Sequence, residues 1–265
     1  MTNDRNSSIR WALVTGATRG IGLALARGLA HRGYGLILVA RSEEGLQQAA
    51  HQLRKEGAVA VEYTPIDLAA SGAAERLHRL YGEWLVDVVV NNAGTFVYRD
   101  LVECNGGRVA HIVGLHIVAT TELCRLFGAS MARRGKGFIL NMSSYAAWVS
   151  MGGLGLYGAT KSYVERMSYS LRDELRESGV SVTVALPAGV ATDLYGLPDV
   201  WQRRGVRLGV LMTPERVAER CLEGMFRGRR RVVPGLMNRV MRPIASHLPT
   251  WVRRVLRNKT VGFQK

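Results

Sequence analysis

The feature that most constrains the fold of this chain is a glycine-rich turn directly after its first apolar run. The run Trp11–Thr15 predicts a short buried strand, and Leu25 and Leu29 behind the turn recur at helical spacing. The turn between them contains Gly16, Thr18, Arg19, Gly20, Ile21 and Gly22. A strand, a glycine turn and a helix in this order predict a site where backbone N–H groups and the positive helix end face a dinucleotide pyrophosphate. The alternative is a tight turn that binds no ligand.

Apolar runs and helical patterns alternate along the rest of the chain. Further strands are predicted at Leu36–Ala40, Val59–Tyr63, Asp87–Val90, Phe138–Met142, Val180–Leu186 and Arg231–Val233, and helices at Glu43–Glu56, Gly107–Arg133 and Tyr157–Glu177. This alternation predicts an α/β fold, a doubly wound parallel sheet (Rossmann fold) of about seven strands with helices on both faces. We expect one domain over residues 1–265, with a substrate lid near 193–212 and a basic C-terminal extension near 235–265.

The end of the second predicted strand indicates which dinucleotide the turn would accept. Many such folds place an acidic side chain there to bind the ribose 2′-hydroxyl, whereas this chain has Arg41 and no acid before Glu43. A cation suits a 2′-phosphate, and Arg19 in the glycine turn could contact the same group. The cofactor prediction is therefore NADP(H). A solvated charge at the end of a strand is the alternative explanation of Arg41.

Three further motifs accompany the glycine turn. The sequence Asn91-Asn92-Ala93-Gly94 closes the fourth strand, Ser144 lies thirteen residues before Tyr157, and Lys161 lies four residues after it. Together these motifs resemble the short-chain dehydrogenase/reductase family in its single-domain form, over residues from about 10 to 235. The resemblance implies an oxidoreductase that transfers a hydride between NADP(H) and a carbonyl or secondary alcohol carbon. It also implies a homodimer or homotetramer.

The resemblance assigns roles to individual positions. It implies cofactor contacts from Gly16, Gly20, Gly22, Asp67, Leu68, Asn91, Ala93, Gly94, Tyr157, Lys161, Pro187, Val190 and Thr192. Within that set, Asp67 is expected at the adenine, Asn91 as a brace of the sheet, and Val190 and Thr192 near the carboxamide. The family's proline is followed by glycine, whereas this chain has Ala188 there and Gly189 one step later.

The residue types at the implied catalytic positions suit carbonyl reduction. Hydride delivery to carbon leaves negative charge on oxygen, which requires a proton donor within hydrogen-bond reach. Tyr157 is the expected acid/base, and a lysine four residues later on the same helical face favours its phenolate form. Ser144 can donate to the developing oxyanion. No metal is expected, because the three cysteines are scattered and none lies in a C-x-x-C pair.

One position departs from the family pattern. An asparagine that continues a proton relay is usual about twenty-two residues after the NNAG glycine, and His116 stands there in this chain. Histidine titrates near neutrality and can relay protons. We therefore expect His116 in the catalytic set, as a relay group or a substrate contact. A packing imidazole unconnected with catalysis, or a displaced asparagine, is the alternative.

The net charge of +15 is concentrated near the end of the chain. Residues 227–265 contain eleven Lys/Arg and no Asp/Glu, and Trp251–Arg257 has a basic amphipathic pattern. That pattern fits packing on the domain or a second subunit, or contact with an anionic membrane. Nucleic-acid binding is the least supported option, because no recognition motif is present. A cytoplasmic protein is expected, since the first residues are polar and no apolar run approaches a membrane span; peripheral contact with the inner membrane face is the second option.

The apolar residues of the predicted lid suggest an apolar ketone or alcohol as substrate. They are Leu194, Tyr195, Leu197, Val200, Trp201, Leu208, Val210, Leu211 and Met212. Two other classes of function stay open at this point. One is a catalytically silent NADP(H)-binding sensor or scaffold, and the other is a peripheral membrane adaptor acting through the basic tail.

Overall fold

The computed structural model describes residues 9–192, Leu194 and 198–235. The strands are β1 (Trp11–Thr15), β2 (Gly35–Ala40), β3 (Val61–Pro65), β4 (Val86–Asn91), β5 (Gly137–Met142), β6 (Val180–Ala185) and β7 (Arg231–Val232). The helices are α1 (Gly20–Ala30), α2 (Glu43–Lys55), α3 (Ala73–Tyr81), α4 (Gly106–Val113), α5 (Ala119–Arg134), α6 (Gly155–Leu175), α7 (Asp199–Arg207) and α8 (Pro214–Phe226). The predicted lid residues Tyr195 and Leu197 and the basic segment 251–257 lie outside the described residues.

All seven strands run parallel in the order β3-β2-β1-β4-β5-β6-β7. The winding direction reverses between β1 and β4, which leaves a crevice at the carboxyl ends of these two strands. Ligands of open parallel sheets bind at such a switch point. The predicted doubly wound parallel sheet is confirmed.

Two apolar cores cover the two faces of the sheet. Successive side chains of a strand point to opposite faces, so Ala12 and Val14 pack with α1, α2 and α8, while Trp11 and Leu13 pack with α3, α5 and α6. This burial on both faces explains why β1 reads as a continuous apolar run rather than as an alternating pattern.

The strand prediction was wrong by two residues at β3. The predicted start, Val59, is 62% exposed, and the strand begins at Val61 and continues to Pro65. Three helices were not predicted, namely α3, α7 and α8. The start of α8 carried a readable signal, because the Thr213 hydroxyl accepts a hydrogen bond from the Arg216 N–H and Pro214 occupies the first turn.

A long helical stretch, Gly106–Arg134, consists of α4, a π-helical turn over Gly114–Val118, and α5. By length and composition this stretch is the one described helix that could cross a membrane, although the sequence shows no uninterrupted apolar run of that size. In the fold, α5 packs against α3, α6, β4 and β5. That is the place of a core helix in a layered α/β fold.

The helix after β1 approaches the glycine turn too closely for any side chain. A Cβ atom on Gly22 would lie 2.0 Å from the Gly16 carbonyl oxygen and 2.6 Å from the Asn92 Nδ2 atom. Because the first of these atoms belongs to the backbone, the clash cannot be relieved by rotating a side chain. Glycine at position 22 therefore sets how near the N-terminus of α1 comes to the end of the sheet.

Replacing Gly22 tests this packing. We expect Gly22→Ala to displace α1 and to lower the free energy of unfolding by about 1–3 kcal/mol, the usual cost of overpacking. Urea denaturation followed by fluorescence measures the change. Gly106→Ala is the matched control, because a Cβ atom there meets nothing within 4 Å. A Gly22→Ala variant as stable as the parent protein would contradict the packing argument.

Candidate active site

The glycine turn is tied to the neighbouring strand end by side-chain hydrogen bonds. The Thr15 hydroxyl accepts hydrogen bonds from the backbone N–H groups of Asn92 and Ala93, both at 2.9 Å, and donates to the Val90 carbonyl. The Asn92 amide donates to the carbonyl oxygens of Thr15 at 3.0 Å and Gly16 at 3.2 Å. The sequence analysis assigned no role to Asn92 itself. In the structure this side chain holds the turn.

The glycine turn lies beside the start of α2. Thr18 lies against this helix, since a Cβ atom on Gly45 would be 3.1 Å from the Thr18 methyl carbon and 3.2 Å from the Ser42 hydroxyl. Arg19 and Arg41 are both exposed. The structure thus brings the glycine turn, which contains Arg19, close to the end of β2, which Arg41 follows.

The predicted adenine-side residues follow β3. Asp67 is exposed, and its carboxylate accepts a hydrogen bond from the Ala69 N–H at 3.0 Å, while Leu68 is buried. Ala69 in turn contacts the helical stretch near its π-helical turn, because a Cβ atom on Gly114 would lie 3.1 Å from the Ala69 carbonyl oxygen. The loop after β3 is therefore anchored at the same edge of the sheet.

Ser144, Tyr157 and Lys161 are all buried at the carboxyl edge of β5 and on the first turns of α6. The Ser144 hydroxyl accepts a hydrogen bond from the Ala146 N–H at 3.1 Å. The Lys161 Nζ atom donates to the Met142 carbonyl at 3.0 Å and lies 5.8 Å from the centre of the Tyr157 ring. Burial lowers the pKa of Lys161 to about 8, so the side chain is mostly a cation at neutral pH.

His116 lies in the π-helical turn and is buried against Tyr157, with ring centres 5.8 Å apart. The Thr95 N–H donates to its Nε2 atom at 3.0 Å, so this nitrogen carries no proton. The neutral ring must then carry its proton on Nδ1, which contacts the Thr160 hydroxyl at 2.9 Å. That hydroxyl donates to the Tyr157 carbonyl at 2.9 Å. A single chain of hydrogen bonds therefore links the loop after β4 to the backbone of Tyr157.

This geometry corrects the prediction for His116. Burial, together with the nearby charges of Lys161 and His111, lowers the pKa of His116 to about 2. The predicted titration near neutrality is therefore wrong. Both ring nitrogens are engaged in hydrogen bonds, so the ring has no free nitrogen with which to relay a proton. Its place suits a group that positions Tyr157.

Aromatic side chains line one side of the site. The Phe96 ring meets the Tyr157 ring edge-on, with centres 5.1 Å apart, and the Tyr98 ring stacks beyond it at 6.5 Å. The Tyr98 ring is covered by the loop before α6, where a Cβ atom on Gly153 would come within 3.0 Å of it. The Arg99 N–H also donates to the Gly153 carbonyl at 2.8 Å. The proton-donor candidate therefore stands beside an apolar, aromatic wall.

The segment after β6 returns to the glycine turn. A Cβ atom on Gly20 would lie 3.2 Å from the Thr192 methyl carbon, which places Thr192 over the start of α1. Val190 is buried and forms an isolated bridge with Met212, and the Pro187 carbonyl accepts from the Tyr145 N–H. The family pattern has glycine directly after the proline, whereas this chain has it one residue later, at Gly189, where local packing leaves no room for a side chain. A Cβ atom on Gly189 would approach Leu211 to 2.6 Å.

A buried polar ladder runs beneath the site. The Asn91 amide donates to the Asn141 side-chain oxygen at 2.8 Å and contacts the Cys124 sulfur at 3.3 Å. The Asn141 amide continues to the Ser168 hydroxyl of α6 at 2.9 Å. Asn91 and Asn141 are register partners in β4 and β5. The predicted bracing position of Asn91 agrees with this geometry, whereas its partners could not be read from one sequence.

The described apolar residues of the predicted lid divide into exposed and inward-packed side chains. Leu194, Val200, Trp201, Leu208 and Val210 are exposed, and no residue of α7 is buried. Within the predicted lid, Leu211 and Met212 do pack inward, Leu211 against Gly189 and Gly205 and Met212 against the first core.

Comparison with known proteins identifies the same family that the sequence motifs resemble. Residues 10–198 match the family model of the short chain dehydrogenases. The chain is 30% identical over 188 residues to the very-long-chain 3-oxoacyl-CoA reductase of Homo sapiens. The aligned region covers 69% of this chain and 60% of that protein. The chain spans about 60–64% of the length of the first curated relatives that it matches.

Two solved structures are similar over nearly their whole length. A short-chain dehydrogenase from Sphingobium yanoikuyae in complex with NADPH is 29% identical, with a TM-score of 0.78, covering 91% of this chain and 97% of that one. A bulky-bulky ketone specific alcohol dehydrogenase from Comamonas testosteroni is 27% identical, with a TM-score of 0.76, covering 92% and 96%.

The buried neutral state of His116 predicts a pH dependence of stability. A histidine whose pKa is lowered on folding binds more protons in the unfolded state, so stability is present above pH 6.5 and falls as the pH drops below it. Between pH 7.5 and 5.0 this residue should cost about 2 kcal/mol. We expect His116→Asn to reduce the loss of unfolding free energy between these pH values by that amount in urea titrations.

The control for this measurement is His51→Asn, on the exposed side of α2. A change in pH dependence that appears in both variants would come from replacing a histidine as such and not from the burial of His116. If His116→Asn loses as much unfolding free energy on acidification as the parent protein, His116 is not buried in its neutral form.

Proposed function

The chain belongs to the short-chain dehydrogenase/reductase family, and from this premise we propose that it is an NADP(H)-dependent oxidoreductase acting on a carbonyl or secondary alcohol of an apolar substrate. The observation that carries the proposal is the grouping of Ser144, Tyr157 and Lys161 at the carboxyl edge of the sheet. They lie on the edge that also carries the glycine turn after β1. Ligands of this fold bind at that edge.

The glycine turn fits a dinucleotide. Any Cβ atom on Gly16 or Gly22 would collide with neighbouring atoms at 2.9 Å or less. Because these positions carry no side chain, a pyrophosphate can approach the backbone of the turn. The N-terminus of α1 faces the same place and favours negative charge. The residues that would hold the cofactor are Gly16, Thr18, Arg19, Gly20, Ile21, Gly22, Arg41, Asp67, Leu68, Asn91, Ala93, Gly94, Tyr157, Lys161, Pro187, Val190 and Thr192.

NADP(H), rather than NAD(H), is proposed from the charges near the ribose position. Arg41 after β2 and Arg19 in the turn supply two exposed guanidinium groups where an acidic side chain would select a free 2′-hydroxyl. When bound, the cofactor supplies or accepts the hydride, and the protein contributes position and electrostatics.

The chain's own part of the reaction is proton transfer and charge stabilisation. Tyr157 donates its hydroxyl proton to the carbonyl oxygen as negative charge develops there, or removes that proton in the reverse direction. The Ser144 hydroxyl donates a hydrogen bond to the same oxygen. The Lys161 cation beneath the Tyr157 ring favours the phenolate that is left after proton transfer.

His116 serves in this scheme as a positioning residue. Its neutral ring accepts a hydrogen bond from the Thr95 N–H and forms another with the Thr160 hydroxyl. The Thr160 hydroxyl in turn donates to the Tyr157 carbonyl in the first turns of α6. The close approach depends on Gly94, where a Cβ atom would lie 3.0 Å from the His116 Nε2 atom. The Tyr157 backbone is thereby fixed to the loop that follows β4.

An apolar substrate is supported by the aromatic wall of Phe96 and Tyr98 beside Tyr157. The names of similar proteins point the same way, since they include an oxoacyl-CoA reductase and an alcohol dehydrogenase specific for bulky-bulky ketones. A single domain with a lid around α7, a homo-oligomeric assembly and a cytoplasmic location stay predictions. A silent sensor is disfavoured by the complete catalytic trio.

Removing the Tyr157 hydroxyl tests the proton-donor role. Tyr157→Phe keeps the ring that packs against Phe96 and His116, so the fold and NADPH binding should stay near normal. Ketone-dependent NADPH oxidation should fall at least 100-fold, within the usual range for the loss of a general acid. Absorbance at 340 nm measures turnover, and quenching of protein fluorescence measures NADPH binding. Substantial remaining turnover would refute the role.

Reversing the charge at Arg41 tests the choice of cofactor. Hydrogen bonds to charged groups contribute about 1.5–3 kcal/mol, so Arg41→Asp should reduce the preference for NADPH over NADH by roughly ten- to a hundredfold in kcat/KM. Arg10→Asp is the matched control, because Arg10 is exposed before β1, away from the carboxyl edge of the sheet. A parent protein that uses NADH as well as NADPH would contradict the assignment.

A further inference from the structure

We propose that helix α7 and the turn that follows it dock on the surface of an anionic lipid bilayer. The docking face consists of Val200, Trp201, Arg204, Leu208 and Val210. The exposed fractions are 57% for Trp201, 77% for Leu208 and 73% for Val210, which is unusual for large apolar side chains that lie close together in sequence.

The exposed groups share one side of the helix. Val200, Arg204 and Leu208 follow one another at i, i+4 and i+8, and Trp201 lies three residues before Arg204, so their side chains are neighbours on the helix surface. The other side of α7 faces the protein. There Gln202 and Val206 line an open cleft of about 430 Å³ whose far wall includes Thr213 and Pro214 at the start of α8. One side of α7 is thus turned to the protein and the other to solvent.

The charges on this helix complement an anionic surface. Arg204 lies on the docking face, while Arg203 and Arg207, which are also exposed, line the cleft together with Asp199, the one acidic residue of α7. The Arg204 guanidinium carbon lies 5.4 Å from the centre of the exposed Trp201 ring. Tryptophan beside arginine is suited to the headgroup layer, where the ring meets lipid and the cation meets phosphate.

The docking face is carried by a loop whose ends are clamped together. The Ala191 N–H donates to the Met212 carbonyl at 2.9 Å, and the Met212 N–H donates to the Gly189 carbonyl at 3.1 Å. This base adjoins Thr192, which packs over Gly20 of the glycine turn. The loop that carries α7 is therefore anchored beside the glycine turn. The docking itself does not depend on the reaction, and only its use in delivering an apolar ketone from lipid rests on the proposed function.

A fluorophore that reports its surroundings tests the contact directly. In the full chain with Cys104→Ser, Leu208→Cys is labelled with an NBD group, since Cys124 and Cys221 are buried. Vesicles of equal parts phosphatidylglycerol and phosphatidylcholine should shift the emission to the blue and increase it. Vesicles of phosphatidylcholine alone should not. Leu80→Cys, on the exposed side of α3, is the matched label position and should not respond.

Charge substitutions give a second, independent readout. Trp201→Glu combined with Leu208→Glu should weaken partitioning to the anionic vesicles roughly tenfold in flotation assays, whereas Leu80→Glu should leave it unchanged. The proposal is overturned if the full chain does not bind anionic vesicles, or if it binds them while the label at position 208 stays in water. The latter result would assign the contact to another part of the chain, such as the basic segment 251–257.

Two further measurements distinguish docking on a bilayer from binding of a soluble anion and from the proposed reaction. A shift of the label at position 208 with free coenzyme A or with an acidic polypeptide, and none with vesicles, would replace the bilayer by a soluble anionic partner and overturn the proposal. Tyr157→Phe should bind vesicles as the parent protein does. A parent protein that binds anionic vesicles but reduces no ketone would count against the proposed function alone.

Discussion

The hydrogen bonds between Thr15 and Asn92 hold together the place on which the rest of the site depends. They join the ends of β1 and β4, the two strands between which the sheet reverses its winding. A doubly wound sheet opens a crevice at this point, and the two side chains tie its two walls together. The glycine turn can then pass close to the Asn92 amide, and α1 can begin directly behind it, because Gly22 carries no side chain.

Tyr157, the proposed proton donor, is held from its backbone as well as from its side chain. His116 bridges the loop after β4 to Thr160, and Thr160 bridges to the Tyr157 carbonyl. Since the ring is buried and neutral, these bonds do not change over the pH range in which an enzyme of this kind works. The Lys161 ammonium group is held near the Tyr157 ring by its hydrogen bond to the Met142 carbonyl. Preorganised groups of this kind stabilise developing charge without reorganising at the moment of reaction.

The sequence predicted those parts of the structure that depend on local pattern. Buried parallel strands give apolar runs, and the turn after β1 must be glycine-rich, so the sheet and the position of the site followed directly. Partners distant along the chain could not be read in this way, such as Asn92 with Gly16 or His116 with Thr95. The ionisation of His116 was predicted from its ordinary pKa and was wrong, because burial outweighs that value. The exposure of α7 is likewise a tertiary property.

The function proposed for this site is transfer of a hydride to a ketone carbon while Tyr157 supplies the proton. The most direct test uses NADPH deuterated at C4, prepared separately in each of its two stereoisomers, with a panel of bulky apolar ketones in a single turnover. The account predicts that one of the two isomers places deuterium on the carbinol carbon of the product, as seen by mass spectrometry. NADPH that binds but is not consumed with any ketone of the panel would contradict it.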